Sequence, residues 1–349
     1  MKKLLKYISP LAPDNSGAVS VLYELGGLVV ICDAGGCAGN VCGFDEPRWE
    51  EFQKIKSRRS ALFSAGLRDM DAILGRDDKL VQKLAKATEQ IKAEFTAIIG
   101  TPVPAVIATD YRALKRMCER KTSLPCITVD TTGTNLYDKG EEKAYLELFK
   151  TFAVENFPSV KNKVGIIGAT PLDISQTSAD DLMSNLREQG FEPVCFGMGS
   201  GLEEVKRASE CEKILVISPS GIKSAEYLKE KFGIPFETGF PYIPAHIVSE
   251  ACGLKGKKVL IVHQQFAANA LREKMRECMI HCASWFMMYP ESMQEGDFHI
   301  SDEEDFISRV CESGYDVIIA DISLKRSLRK FKGEFIDFPH FAVSGRLNK

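Results

Sequence analysis

Short runs of apolar, often β-branched residues recur along the chain. Between them lie longer stretches in which apolar positions return every three or four residues. The short runs at 27–31 (GLVVI), 105–108, 126–129, 164–167, 193–196, 214–217, 258–262, 285–288 and 317–320 are predicted strands. The longer stretches at 77–99, 111–119, 141–156, 178–189, 202–208, 224–232, 267–282 and 302–312 are predicted helices, the first carrying Leu80, Leu84, Ala87, Ile91 and Phe95 on one face. Strand–helix alternation predicts an α/β fold of parallel sheets joined by right-handed crossovers. The rhythm breaks at the polar connector 158–163 (PSVKNK) and again at 253–257, which divides the chain into three units, 1–159, 160–255 and 256–349. In such units ligands bind beyond the carboxyl ends of the strands, so chemistry is sought in the loops that follow them.

Composition narrows the function classes. With 349 residues, 44% hydrophobic and 27% charged, the chain has enough apolar material for two or three domains. A net charge of −3 argues against a nucleic-acid binder. Lys2, Lys3 and Lys6 start like a secretory leader, but Pro10, Pro13 and Asp14 interrupt any apolar core behind them. No run reaches the length of a membrane span, so a cytoplasmic location is expected. The 11 cysteines are an odd number in a cytoplasmic-looking chain, which predicts free thiols, some of them candidate metal or cluster ligands.

The loop after the first strand concentrates them. Cys32, Cys37 and Cys42 follow a C-x4-C-x4-C spacing among Gly35, Gly36, Gly39 and Gly43. Thiolates are soft ligands suited to iron–sulfur clusters, and glycines let the backbone approach inorganic sulfur closely. The plainer reading is that Cys32 ends a buried strand, where free cysteine is common. A phosphate-binding loop is a third option, but neither G-x-x-x-x-G-K-[ST] nor G-x-G-x-x-G is present, so ATP hydrolysis by this chain is not expected.

Around this loop the sequence resembles the nitrogenase component 1 family. The run 16–49 (SGAVSVLYELGGLVVICDAGGCAGNVCGFDEPRW) carries the resemblance, with 61–80, 100–110 (GTPVPAVIATD), 165–178, 197–208, 215–235 and the closing 339–347 (PHFAVSGRL). The blocks span most of the chain in one order. The resemblance implies three stacked Rossmann-like domains and an oxidoreductase that works as a homodimer or with a paralogous second subunit. It also implies a [4Fe–4S] cluster at the subunit interface and a separate ATP-dependent iron protein that delivers electrons.

Carried over residue by residue, Cys37 falls at the cluster-ligand position, in C-D-A-G-G-C where the family has H-G-P-x-G-C. The family's first cysteine falls in 11–17, where only Asp14 offers a ligand atom, otherwise a helix cap. The third falls at Thr101. One chain therefore lacks a full half-site. Cys37 with Cys42 or Cys32, taken from two chains, would supply four thiolates. Ser218 stands where dinitrogen-reducing members anchor their large cofactor through cysteine, and the matching histidine is absent, so no molybdenum-type cofactor is expected. Ser218, Ser220 and His340 would then line a cavity for a small organic or tetrapyrrole-like substrate, with His340 as proton donor. The alternative is a cluster-free scaffold for a metallocofactor or tetrapyrrole. An unrelated doubly wound enzyme is a third reading, in which the cysteine loop is incidental.

Other features have plainer readings. Cys278 and Cys282, with His281 between them on a predicted helix, suit core packing better than a metal site. The segment 44–49 is expected near a subunit interface, and Lys54, Lys56, Arg58 and Arg59 form a basic face suited to solvent or to an acidic electron donor.

Overall fold

The computed structural model describes residues 5–45, 61–75, 77–175, 177–275 and 277–346, with backbone alone at 42–45 and 72–73. The basic run at Lys54–Arg59 and positions 46–49 lie outside these residues.

Within them, strands assemble into three separate sheets. The first holds β1 (Gly27–Ile31), β2 (Ala61–Ser64), β3 (Phe95–Ile99) and β4 (Cys126–Val129), in the order β2-β1-β3-β4. The second holds β5 (Val160–Ile167), β6 (Glu192–Cys195), β7 (Cys211–Val216) and β8 (Phe236–Thr238), in the order β6-β5-β7-β8. The third holds β9 (Lys258–Val262), β10 (Met279–Ser284), β11 (Phe298–His299), β12 (Val317–Ala320) and β13 (Glu334–Asp337), in the order β11-β10-β9-β12-β13. Every strand pair in the three sheets is parallel, the α/β architecture expected from the alternation. Parallel strands covered on both faces need continuous apolar runs. β1, β3 and β12 meet that need, buried at every position. Strand order reverses between β1 and β3, between β5 and β7, and between β9 and β12. The loops after those strands face the crevices where this architecture binds ligands.

Some elements differ from expectation for local reasons. The apolar run 105–108 is not a strand. Pro102 opens a short helix, Pro102–Val106, because proline suits the first helical turn and disrupts a central strand. The strand instead lies just upstream as β3, so Phe95 belongs to it, and the helix before it ends at Gln90. The stretch 267–282 splits into a helix, Gln265–Lys274, and β10, while 285–288 lies beyond that strand. Cys278 and Cys282 therefore do not share a helix face.

Packing joins the three layers. One apolar cluster runs through the first two sheets, from Val29 and Phe95 through Phe149 to Phe196 and Val216. The third sheet completes its core with residues from far away in sequence, Ile8, Ala12 and Tyr137, against Leu260, Trp285, Phe306 and Phe341. Residues 6–12 cross this layer as a strap. The buried Glu303 carboxylate accepts the backbone N–H of Lys6 (2.6 Å), Tyr7 (2.9 Å) and Ile8 (2.8 Å), and Ala12 N donates to Ala342 O at 2.8 Å. Removing the carboxylate strands those donors. Glu303→Ala is expected to cost about 1–3 kcal/mol in urea denaturation and to speed amide exchange at residues 6–8 specifically. Unchanged exchange there would mean that apolar packing alone holds the strap.

Candidate functional site

The first candidate lies at the switch point of the first sheet. After β1, Cys32 stays in the strand's line and turns into the apolar layer beside Leu80, Leu84, Cys118 and Cys126. It is 3% exposed, and burial pushes its thiol up to about 12. Its carbonyl accepts a 2.7 Å hydrogen bond from Thr101 Oγ1, so the position where the family carries a third cysteine is a structural hydroxyl here. Asp33 fixes the turn that follows. Its carboxylate accepts Ala38 N–H at 2.9 Å and Ser64 Oγ–H at 2.6 Å, tying the loop after β1 to the end of β2.

Residues 36–45 then form a helix, not an open loop. Five residues of α-helix turn through about 140° and rise about 7.5 Å, so positions 37 and 42 do not share a face. Cys37 sits in the first turn, half-buried, its thiol raised by burial and by the nearby Asp33. A Cβ at Gly35, Gly36 or Gly39 would meet nothing within 4 Å among the described residues. The elements on either side expose apolar side chains: Phe63 on β2, Met70 and Leu74 after it, and Val103, Ile107 and the 84%-exposed Val106 after β3.

Set against the requirements of a [4Fe–4S] cluster, which takes four thiolates, this edge supplies Cys37 as its one accessible thiol among the residues with described side chains. Cys32 does not fit, because it is buried in the apolar layer. Asp14 is not a ligand either. Its carboxylate is filled by Thr132 N–H (3.0 Å), Gly133 N–H (2.7 Å) and Asn135 Nδ2 (3.4 Å), which shape the loop before the Tyr137–Phe152 helix. It does not act as the helix cap, since Pro13 holds that position. Among the described residues no grouping of three or more His, Cys, Asp or Glu is disposed to hold a metal ion.

The second candidate lies where the switch points of the second and third sheets face each other. Ser218 and Ser220 follow β7, Thr170 and Asp173 follow β5, His263 follows β9, and His340 follows β13. Among the described residues these side chains lie together and largely fill the space between them. Ser218 and His340 are each 1% exposed. Glu141, on the Tyr137–Phe152 helix, is the hub. It accepts Thr170 Oγ1–H (2.5 Å), Ser220 Oγ–H (2.9 Å) and Ser20 Oγ–H (3.3 Å), and it hydrogen-bonds to Asp173. Tyr137 OH donates to Asp173 Oδ1 at 2.8 Å and lies 3.3 Å from His340 Nε2. His340 stacks on His263 with centroids 4.2 Å apart. The free space beside Asp173 and His263 is about 10 Å³, room for little more than one water.

Burial sets the protonation of this interior. Glu141 is held well above the ordinary carboxylate range by burial and then by the facing Asp173. Asp173 is pushed up to about 6, and the hydrogen bonds from Glu141, Tyr137 and Ser218 keep it from rising further. Both carboxyls are raised by burial, so the pair favours holding a proton between Glu141 and Asp173. His263 is lowered to about 4 by burial, and His340 falls well below the imidazole range through burial and its neighbour His263. Both rings are neutral at pH 7. The expectation that His340 works as an accessible proton donor on a substrate cavity is corrected accordingly.

Sequence reasoning missed Glu141, Asp173, Tyr137 and His263. A signal for Glu141 existed: Tyr137, Glu141, Ala144 and Leu148 share the buried stripe of one helix, and a carboxylate on such a stripe needs partners. Cys118, Cys126, Cys195, Cys211 and Cys282 are buried, as their apolar surroundings in the sequence suggest, the last on β10 with burial raising it to about 12. Cys252 and Cys311, whose apolar neighbours in the sequence also suggest a core position, are instead exposed.

Among the described residues no helix is long and apolar enough to cross a membrane. A search of curated proteins finds no match. Among solved structures, "Nitrogenase Cp1 at pH 6.5" superposes with a TM-score of 0.74 at 13% identity, covering 100% of this chain and 89% of that one. "Nitrogenase Cp1 at pH 5" gives 0.71 at 13% identity, with 99% and 86% covered. These likenesses establish the fold. The model of the nitrogenase component 1 type oxidoreductases matches residues 17–247, through the first two sheets with both switch-point loops, and on that match the chain belongs to the nitrogenase component 1 type oxidoreductase family.

Proposed function

We propose that this chain is the electron-accepting, component 1-type subunit of a two-component, ATP-dependent reductase. In this reading Cys37 is its ligand to an iron–sulfur cluster at the interface with a paralogous subunit, which supplies the missing thiolates. The carrying observation is the edge around Cys37: a half-buried thiol on a glycine rim, flanked by exposed apolar side chains. Exposed apolar patches of this kind mark interaction surfaces, and glycines let a bulky group approach the backbone. The cluster, when bound, supplies one-electron storage at low potential. The chain's own residues position it. Asp33 fixes the turn that presents Cys37, and Thr101 locks the end of β1 beneath it. ATP hydrolysis belongs to a separate iron protein. The substrate in this reading is organic rather than dinitrogen, because a serine stands at position 218 where a cofactor-anchoring cysteine is needed.

The test is iron content and low-temperature EPR of anaerobically purified protein, alone and co-expressed with a paralogous subunit, with Cys37→Ala alongside. Iron and a reduced-cluster signal are expected in the two-subunit preparation and absent from the mutant. A second reading is favoured by the closed interior and by Cys37 being the one accessible thiol at the β1 edge among the residues with described side chains: a cluster-free scaffold. Iron-free protein in both preparations, made with intact cluster assembly, would leave that reading standing and remove the first.

A further inference from the structure

A hollow of about 760 Å³ opens beyond the carboxyl ends of the adjacent parallel strands β12 and β13, its lining distinct from the residues of both sites above. Ser9, Ser323, Lys325, Arg326, Ser344 and Arg346 line it, and no carboxylate does. Lys325 and Arg326 are exposed and form no ion pair among the described residues; the Lys325 ammonium sits 5.7 Å from the ring of Phe335. Arg346 is anchored, its Nη2 donating to both Asp337 oxygens at 2.8 and 2.6 Å. That pairing aligns the guanidinium and leaves its buried Nε–H without an acceptor. Ser323 Oγ is likewise buried and unpartnered, its backbone N–H already committed to Asp321. Buried donors without partners are uncommon and call for a ligand, ion or water.

We propose that this hollow binds the phosphate group of a small phosphorylated molecule. Arg346 is neutralised by Asp337 and, at 4.0 Å, by Asp321, while Lys325 and Arg326 keep their charge, and that excess of positive charge on an array of donors suits a phosphate. A phosphate's three free oxygens can meet the Arg346 Nε–H, the Ser323 hydroxyl and the Lys325 and Arg326 side chains together. The volume exceeds that of one phosphate and leaves room for an organic remainder. The position, outside the carboxyl ends of parallel strands, is where this architecture takes ligands.

Calorimetric titration of the full chain with inorganic phosphate and pyrophosphate, and with citrate as a carboxylate control, tests this. Lys325→Gln/Arg326→Gln alters exposed side chains only, and Ser323→Ala removes the buried hydroxyl. The expected result is saturable binding of one pyrophosphate per chain, weakened roughly tenfold or more in the double variant, weakened also in Ser323→Ala, and reduced by added salt. Absence of saturable phosphate and pyrophosphate binding overturns the proposal. So does an affinity unchanged in the double variant, or citrate binding more tightly than pyrophosphate. Cys37→Ala should bind as the native chain does, which separates this result from the fate of the cluster reading.

Discussion

Replacing Gly140 with alanine is expected to cost more than about 4 kcal/mol and to leave little folded protein. The Asp14–Leu22 and Tyr137–Phe152 helices meet through glycines on both sides. A Cβ on Gly140 would lie 1.7 Å from Asp14 O, and one on Gly17 would lie 1.9 Å from Tyr137 O. Both obstacles are backbone atoms, so no side chain can turn aside. The helices must separate, and separation pulls Asp14 from the loop at 132–135 and Tyr137 and Glu141 from the interior at once. Overpacking ordinarily costs about 1–3 kcal/mol; here the loss of two polar networks adds to it. Gly39→Ala is the control. It also lies in a helix, but a Cβ there meets nothing within 4 Å among the described residues, so a change of less than about 1 kcal/mol is expected, in the stabilising direction. Urea midpoints of the two variants decide the matter. A Gly140→Ala protein within 1 kcal/mol of native would show that the helix pair has slack.

The second large effect separates two substitutions at Glu141. Glu141→Ala removes the acceptor that Thr170 and Ser220 share and the hydrogen bond from Glu141 to Asp173, and opens a hole among buried polar groups, and is expected to cost about 3–5 kcal/mol. Glu141→Gln should cost far less, because an amide reproduces a protonated carboxyl: one oxygen to accept, one N–H to give Asp173. The pair also makes a pH prediction. Glu141 has a folded pKa above its unfolded value, so its stabilising contribution is complete below the unfolded pKa and is lost as pH rises through the folded one. The stability advantage of native over Glu141→Gln should therefore shrink as pH rises above the ordinary carboxylate range. His263 acts in the opposite sense. Its pKa is lowered to about 4, so its contribution is present above about pH 6.5 and is lost as pH falls through 4. An advantage over Glu141→Gln that grows with pH would mean that the shared proton does not reside on Glu141.

The two candidate sites were unequally legible, and the reason is the range of the interactions that build them. Cys37 could be found because its cue is local, a cysteine–glycine loop after an apolar strand. The helical conformation of 36–45 could not, since glycine-rich sequence gives weak helix propensity and the capping Asp33 is as compatible with a loop. Ser218, Ser220 and His340 were recognised as convergent. Their surroundings were not, because a hydroxyl beyond a strand end looks the same whether it lines a cavity or satisfies a buried acid 79 positions away. Pro102–Val106 shows the same limit in the fold. Its apolar run matches a buried strand by composition, and only the placement of β3 against β1 and β4 assigns that role to 95–99 instead.

The strap across the third sheet bears on the order in which the molecule can be completed. During synthesis residues 6–8 emerge well before the carboxylate they need, 295 to 297 positions later. Contacts of such long range form late and slowly. Until residue 303 and then Ala342 leave the ribosome, the strap has no seat, and Tyr137 lacks the apolar neighbours that the third sheet provides. The acid pair at the centre, sealed in the folded structure, stays open to water until the third sheet brings His263 and His340 against it.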